Sequence, residues 1–95
     1  MYEGTATRVR IAETYNGAPV TKIANEAFKR SAITSIIIPD RVTSIGNYAF
    51  VGCTSLTDIT FNGTEEQWNA IEKGSDWNFS VPATKVVCTD GEVSL

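Results

Sequence analysis

Val42 to Phe61 reads VTSIGNYAFVGCTSLTDITF, and Val20 to Ile38 reads VTKIANEAFKRSAITSIII, nearly the same text. From Val20 and Val42 through Ser31 and Cys53 the two copies keep an offset of 22 residues. One extra residue then enters the second copy, so Ile33 answers Leu56, Ile36 answers Ile59 and Ile38 answers Phe61 at 23. A unit this short has no interior of its own. It buries its apolar side only by stacking on the next copy, so the repeat decides the architecture.

Ile33-x-x-Ile36-x-Ile38 and Leu56-x-x-Ile59-x-Phe61 end in alternation of period two, the mark of a short strand with one face buried. Pro39 and Asn62-Gly63 stop these strands, since proline lacks an N–H for a ladder and Asn-Gly favours a turn. Val42-x-x-Ile45 and Ala49-Phe50 recur at three to five residues, which predicts a helical or 3-10 turn on the opposite side. A period of 22 to 23 falls in the range of leucine-rich repeats and below that of ankyrin or propeller units. The expected architecture is an α/β solenoid: a right-handed coil of short parallel strands and helical or 3-10 turns.

The pattern V-T-x-I-x-x-x-A-F-x-x-(C/S)-x-x-(L/I)-T-x-I-x-(I/F)-P resembles the BspA-type leucine-rich repeats of large bacterial surface proteins. The resemblance covers about Thr5 to Gly63. Gly63 to Ile71, with Asp76-Trp77 and Cys88-Thr89-Asp90-Gly91, is similar to the segment that closes such arrays. The first copy departs from the pattern at Ala24, where the second has Gly46, and at Ser31, where it has Cys53. The resembling proteins are exported and much longer. The resemblance therefore implies an excised C-terminal fragment of a repeat array, located at the cell surface or secreted.

The expected organisation is one repeat domain over residues 1–95. Thr5 to Ile11 is a strand of a partial first unit (5–19), with Ala6, Val9 and Ile11 answering Ile33, Ile36 and Ile38. Ala12 to Pro19, turning at Tyr15-Asn16-Gly17, is an inserted connection or a plain hairpin loop. Full units span 20–41 and 42–63. Residues 64–91 form a C-terminal cap. Within it Thr64-x-x-Gln67 fits a capping box, Trp68 and Ile71 share a helical face, and Gly74 suits a left-handed helix end. Trp77, Phe79 and Val81 are expected to continue the packing, Thr84 to Thr89 to form the last strand, and Glu92 to Leu95 to be a loose tail.

Composition narrows the function classes. The chain has 42% apolar and 20% charged residues, a net charge of −3 and no histidine. The first pair of values is globular rather than disordered. The acidic balance opposes a phosphate-backbone partner, so no nucleic acid is expected. No apolar run approaches the ~20 residues of a membrane helix, and Met1-Tyr2-Glu3 does not open like a signal peptide. Without histidine, Ser-His-Asp and Cys-His nucleophile sets are excluded, and two cysteines alone make no zinc site. There is no phosphate loop. Glu65-Glu66, Asp40, Asp58 and Asp76 read as surface charges rather than a glycosidase pair. Asn62-Gly63-Thr64 and Asn78-Phe79-Ser80 match a glycosylation sequon, which the bacterial resemblance deprives of meaning. The reading is of no enzyme, no cofactor and no metal.

Two sets of residues remain as site candidates. Strand alternation puts Arg8, Ser35, Asp58 and Lys85 in one row of the sheet's open face, and Arg10, Ile37, Thr60 and Val87 in the next. Concave sheets of repeat proteins contact extended peptides and protein surfaces, so a protein-interaction or adhesion module with an extracellular protein partner is expected. The alternative is a structural spacer with no ligand, its rows merely solvated. Trp68 and Trp77 suit sugar stacking but read better as core. Cys53 and Cys88 are expected on different sides of the coil, as buried free thiols. An incomplete first unit would expose Val9, Ile23 and Phe28 at the N-terminal flank, giving a surface for self-association.

Overall fold

The computed structural model describes residues 7–95. Thr5 and Ala6, read as the start of the first strand, lie outside the described residues. The elements in chain order are β1 (Arg8–Arg10), β2 (Thr14–Tyr15), β3 (Ala18–Pro19), β4 (Lys22–Ile23), β5 (Ser35–Ile38), β6 (Ser44–Ile45), β7 (Asp58–Phe61), α1 (Glu65–Ala70), β8 (Glu72–Lys73), β9 (Lys85–Cys88) and β10 (Gly91–Ser94).

One sheet runs β1-β5-β7-β9-β10. Its first four strands are parallel, with Val9, Ile36, Ile59 and Val86 in register. Ile36, Ile38, Ile59, Phe61, Val86 and Cys88 turn inward and are buried. A second sheet, β4-β6-β8, is also parallel, with Ile23, Ile45 and Lys73 in register. The chain thus coils between two parallel sheets that enclose the core. Residues 12–19 form an antiparallel hairpin, β2 on β3. Asn16 (φ 52°) and Gly17 (φ 81°) supply the two left-handed residues that a tight two-residue turn requires.

The side opposite the first sheet corrects the sequence reading. The segments 25–30 and 47–52 are not helical. They are consecutive turns, and 75–80 repeats them. The reason lies in where the backbone bonds go. The N–H groups of Glu26, Phe28 and Arg30 donate to the carbonyls of Asn47, Ala49 and Val51, at 3.0, 2.8 and 2.8 Å. Those of Tyr48, Phe50 and Gly52 donate to Ser75, Trp77 and Phe79, at 2.9, 2.8 and 2.9 Å. A helix would spend these donors within itself; here they tie coil to coil. Glu26, Arg30, Tyr48, Asp76 and Ser80 hold positive φ for this purpose, a conformation that costs L-residues about 1 kcal/mol or more each and that the ladder between coils offsets.

Side chains reinforce the ladder. Asn25 Oδ1 accepts from the Asn47 N–H, and Asn47 Oδ1 from the Ser75 N–H, each at 2.8 Å. The coils approach so closely that a Cβ on Gly46 would lie 2.4 Å from Asn25 N, and one on Gly74 2.5 Å from Asn47 N. Gly74 is therefore a packing glycine. Its expected role at a helix end is not the one it has, because α1 stops at Ala70 with Ile71 extended behind it. Ala24 holds the corresponding place in the first coil and is exposed.

Residues 72–88 follow the course of the coils before them: β8 lies on β6, the 75–80 turns lie on 47–52, and β9 lies on β7. Asp76 and Ser80 repeat the positive φ of Tyr48 and Gly52, which sets Trp77 at the place of Ala49 and Asn78 at that of Phe50. The short helix α1 fills the connection between β7 and β8. Thr64 caps it: Gln67 N–H donates to Thr64 Oγ1 at 3.1 Å, and Thr64 N–H donates back to Gln67 Oε1 at 2.8 Å. At its other end Lys73 Nζ donates to the carbonyls of Trp68 (2.8 Å) and Ile71 (3.2 Å) and lies 4.6 Å from the Trp68 ring centroid. Lys73 occupies an isoleucine's register position and reaches out of it.

A chain of rings threads the core. Phe28 stacks on Phe50 (5.2 Å), Phe50 meets Trp77 edge-on (6.2 Å), Trp77 meets Trp68 (5.8 Å), and Trp68 meets Phe61 (5.6 Å). Trp68 and Trp77 are 1% and 8% exposed, so both are core. Phe79 is not: it is 61% exposed, standing where Val51 stands one coil earlier at the outer part of the turns, while Val81 packs against the core. Glu92 to Leu95 is no loose tail; Gly91–Ser94 pairs antiparallel with Lys85–Cys88. The expected apolar flank is also corrected. Ile23 is 5% and Phe28 8% exposed, with Val9 and Ile11 packed against their cluster.

Candidate functional site

The register of the first sheet assembles the two rows. Arg8 lies beside Ser35 and Ser35 beside Asp58; Lys85, one residue before Val86, stands next in line. Arg10, Ile37, Thr60 and Val87 lie side by side in the second row. Their side chains share the face opposite the core by strand alternation. Arg8, Arg10, Asp58, Lys85 and Val87 are exposed, while Ser35, Ile37 and Thr60 are half-buried between neighbours. The face is thus held by backbone pairing, with Ile37 and Val87 as its apolar members.

The sequence reading missed β10. Glu92 lies beside Val87 and extends the second row, and its carboxylate pairs with Lys85 Nζ at 2.8 Å. Both side chains are half-exposed, so the pair contributes roughly 0–1 kcal/mol. Its effect is to neutralise one end of the face. The signal was present in Gly91-Glu92-Val93-Ser94, a polar–apolar alternation straight after a two-residue turn. Asp58 Oδ2 accepts the Thr57 hydroxyl at 3.2 Å. Arg8 and Arg10 have no ion pair among the described residues.

Elsewhere the chemistry is sparse. A surface hollow of about 310 Å3 is lined by Glu13, Thr14, Gly17, Pro19, Asp40 and Arg41, none of them on the sheet face. Among the described residues no group of three or more His, Cys, Asp or Glu could hold a metal ion. Cys53 and Cys88 are buried free thiols. Cys53 Sγ donates to the Phe28 carbonyl at 2.8 Å. Burial pushes its pKa above the ordinary 9.0, against a smaller downward pull from a backbone hydrogen bond at Ser31. Burial raises Cys88 as well, helped by the charges of Asp90 and Glu65. Both thiols are therefore held protonated and unreactive. No helix among the described residues is long and apolar enough to cross a membrane.

Comparison with known proteins adds the family context. Residues 20–80 match a family described as a BspA-type leucine-rich repeat region of six copies. A leucine-rich cell surface protein from Faecalibacterium prausnitzii A2-165 superposes with a TM-score of 0.66 at 28% identity, over 92% of this chain. The chain spans only 26% of that protein's length. A leucine-rich repeat protein from Bacteroides capillosus ATCC 29799 gives a TM-score of 0.59 at 26% identity, covering 90% of this chain and 78% of its own. No curated protein sequence matches the chain.

Proposed function

This chain belongs to the BspA-type leucine-rich repeat family, and on that premise we propose that it is a non-catalytic protein-interaction module that binds a protein partner through the open face of its five-stranded sheet. The observation that carries the proposal is the row Arg10–Ile37–Thr60–Val87, an apolar centre with charge beside it on a surface fixed by strand register. Such a surface needs little ordering on binding, which favours affinity. Display at a cell surface and an extracellular partner follow from the family, and the naming of one similar protein as a cell surface protein supports them.

We also propose the division of labour along the chain. Residues 1–95 act as one domain, with a partial first unit at 5–19, full repeats at 20–41 and 42–63, and 64–91 as the closing segment. The coil is right-handed, by the general rule for parallel crossovers. Pairing of β10 over the edge of β9 supports a closing role for that end.

The test is a variant in which Arg10, Ile37, Asp58 and Lys85 are all replaced by alanine. Screened against extracellular protein fractions beside the wild type, it is expected to lose a saturable partner while its melting temperature stays within a few degrees. A partner that the variant still holds at full affinity removes the sheet face from consideration. A structural spacer would give no saturable partner with either protein.

A further inference from the structure

We propose that a groove on the flank of the coil, between the 12–19 hairpin and α1, takes an extended segment of a partner protein that carries a basic side chain two residues from an apolar one. The groove is separate from the open sheet face, and the inference stands without that reading.

Connection lengths make the groove. Eleven residues (11–21) lead from β1 to β4, five (39–43) from β5 to β6 and ten (62–71) from β7 to β8. All three leave the C-terminal ends of adjacent parallel strands, so they lie side by side. The outer two hold a hairpin and a helix, and a short connection flanked by two long ones leaves a trough. Its first hollow, about 310 Å3, lies between the hairpin and Asp40-Arg41. A second, about 150 Å3, lies between Asp40 and α1, against Val42, Thr43, Ala70 and Ile71. Asp40 borders both hollows, which makes them one groove. Every lining residue falls between Glu13 and Ile71, so neither end of the chain shapes it.

The floor is fixed before anything binds. The Thr43 N–H donates to the Thr21 carbonyl at 2.8 Å, and the Glu72 N–H to the Thr43 carbonyl at 3.0 Å, tying the three connections together where they enter the second sheet. Across the base of the hairpin the Val20 N–H donates to the Glu13 carbonyl at 2.9 Å. Little ordering is then left to oppose binding.

The two ends of the groove differ in chemistry. Glu13, Asp40 and Arg41 are exposed, and none has an ion pair among the described residues. Two carboxylates against one guanidinium leave the hairpin end acidic, which selects a cationic side chain. Arginine suits it, since its fork of N–H donors can serve two carboxylates at once. Arg41 can only donate, so its partners on the segment are backbone carbonyls. At the helix end Val42, Ala70 and Ile71 present carbon around a hollow the size of one that admits benzene, room for one leucine side chain. Arg41 borders the first hollow and Thr43 the second, two residues on. An extended segment likewise presents side chains two apart on one side, about 6.6 Å along.

The test uses the 15N-labelled full chain and three blocked heptapeptides: Ser-Leu-Ser-Arg-Ser-Leu-Ser, which reads alike in both directions, the same with arginine replaced by glutamate, and the same with both leucines replaced by serine. The first is expected to saturate, with amide shifts at residues 13–17, 40–43 and 67–71. The other two are expected to bind at least about tenfold more weakly, and raised salt should weaken the first. Glu13→Gln with Asp40→Asn should cost about tenfold or more, and Ala70→Leu, which fills the second hollow, a similar factor, both without moving the melting temperature. Ile37→Ser with Val87→Ser should leave the affinity unchanged. Equal binding of the glutamate or the all-serine peptide, full affinity in the Glu13 and Asp40 variant, or no saturation at millimolar peptide overturns the proposal. Shifts centred on Ile37, Thr60 and Val87 that vanish in the double serine variant also overturn it, and leave the sheet-face reading standing.

Discussion

Trp77 lies edge-on to Phe50, their ring centroids 6.2 Å apart and their planes at 78°, and its carbonyl accepts the Phe50 N–H at 2.8 Å. The indole occupies the place that Ala49 holds one coil earlier. The large ring has changed position, Ala49-Phe50 becoming Trp77-Asn78, with Trp77 buried and Asn78 half-buried.

Trp77 links Phe50 to Trp68, so its removal opens a cavity that neither neighbour can fill. Trp77→Ala is expected to cost about 3–5 kcal/mol. Urea unfolding followed by far-ultraviolet circular dichroism checks this, and a loss below 1 kcal/mol would mean that the ring chain contributes little.

Gly46 and Ala24 hold equivalent places with opposite tolerance. Gly46→Ala forces a methyl to 2.4 Å from Asn25 N, and overpacking of this kind costs about 1–3 kcal/mol. Ala24→Gly removes an exposed methyl and is expected to cost at most about 1 kcal/mol, through chain entropy. The two midpoints in urea, measured side by side, give the contrast.

Asn47 Oδ1 accepts the Ser75 N–H. Asn47→Ala leaves that donor to solvent and is expected to cost about 0.5–1.5 kcal/mol, whereas Asn47→Asp keeps an acceptor and most of the stability. Hydrogen exchange at the Ser75 amide reads the effect locally: faster in the alanine variant, nearly unchanged in the aspartate.

The buried thiols set an alkaline limit. Their folded pKa values are raised above 9.0, so above pH 9 the folded state retains protons that the unfolded chain releases, and stability falls as pH rises. Lys73 acts in the opposite sense, since desolvation lowers it below 10.5 and stability then rises toward that pH. Cys53→Ala should flatten the decline above pH 9 relative to wild type, as read from melting temperatures at pH 7 to 10. An unchanged slope would acquit Cys53.

The two strands around Ile36 and Ile59 were legible because period-two alternation and the 22–23 residue offset specify both the buried face and the partner. The capping box at Thr64 and Gln67 is a local bond, readable from spacing alone. The turns at 25–30 and 47–52 were not legible, because apolar residues three to five apart suit a helix as well as turns whose donors leave the coil. The coil at 72–88 was hidden by the inserted α1 and by the exchange of Ala-Phe for Trp-Asn, which moves the aromatic ring by one position and breaks the repeat pattern. Glu92 escaped notice because β10 has only β9 to pair with, and a terminal hairpin arm carries no repeat signal.

Ala24 and β10 obstruct unlike halves of the two ends. The methyl sits where another backbone would have to approach the convex side, and β10 runs antiparallel along the margin that a further parallel strand would need. At the β9 margin the internal parallel pairing cannot be copied onto a further strand, because β10 already holds that edge, and an open-ended fibre needs such a head-to-tail contact.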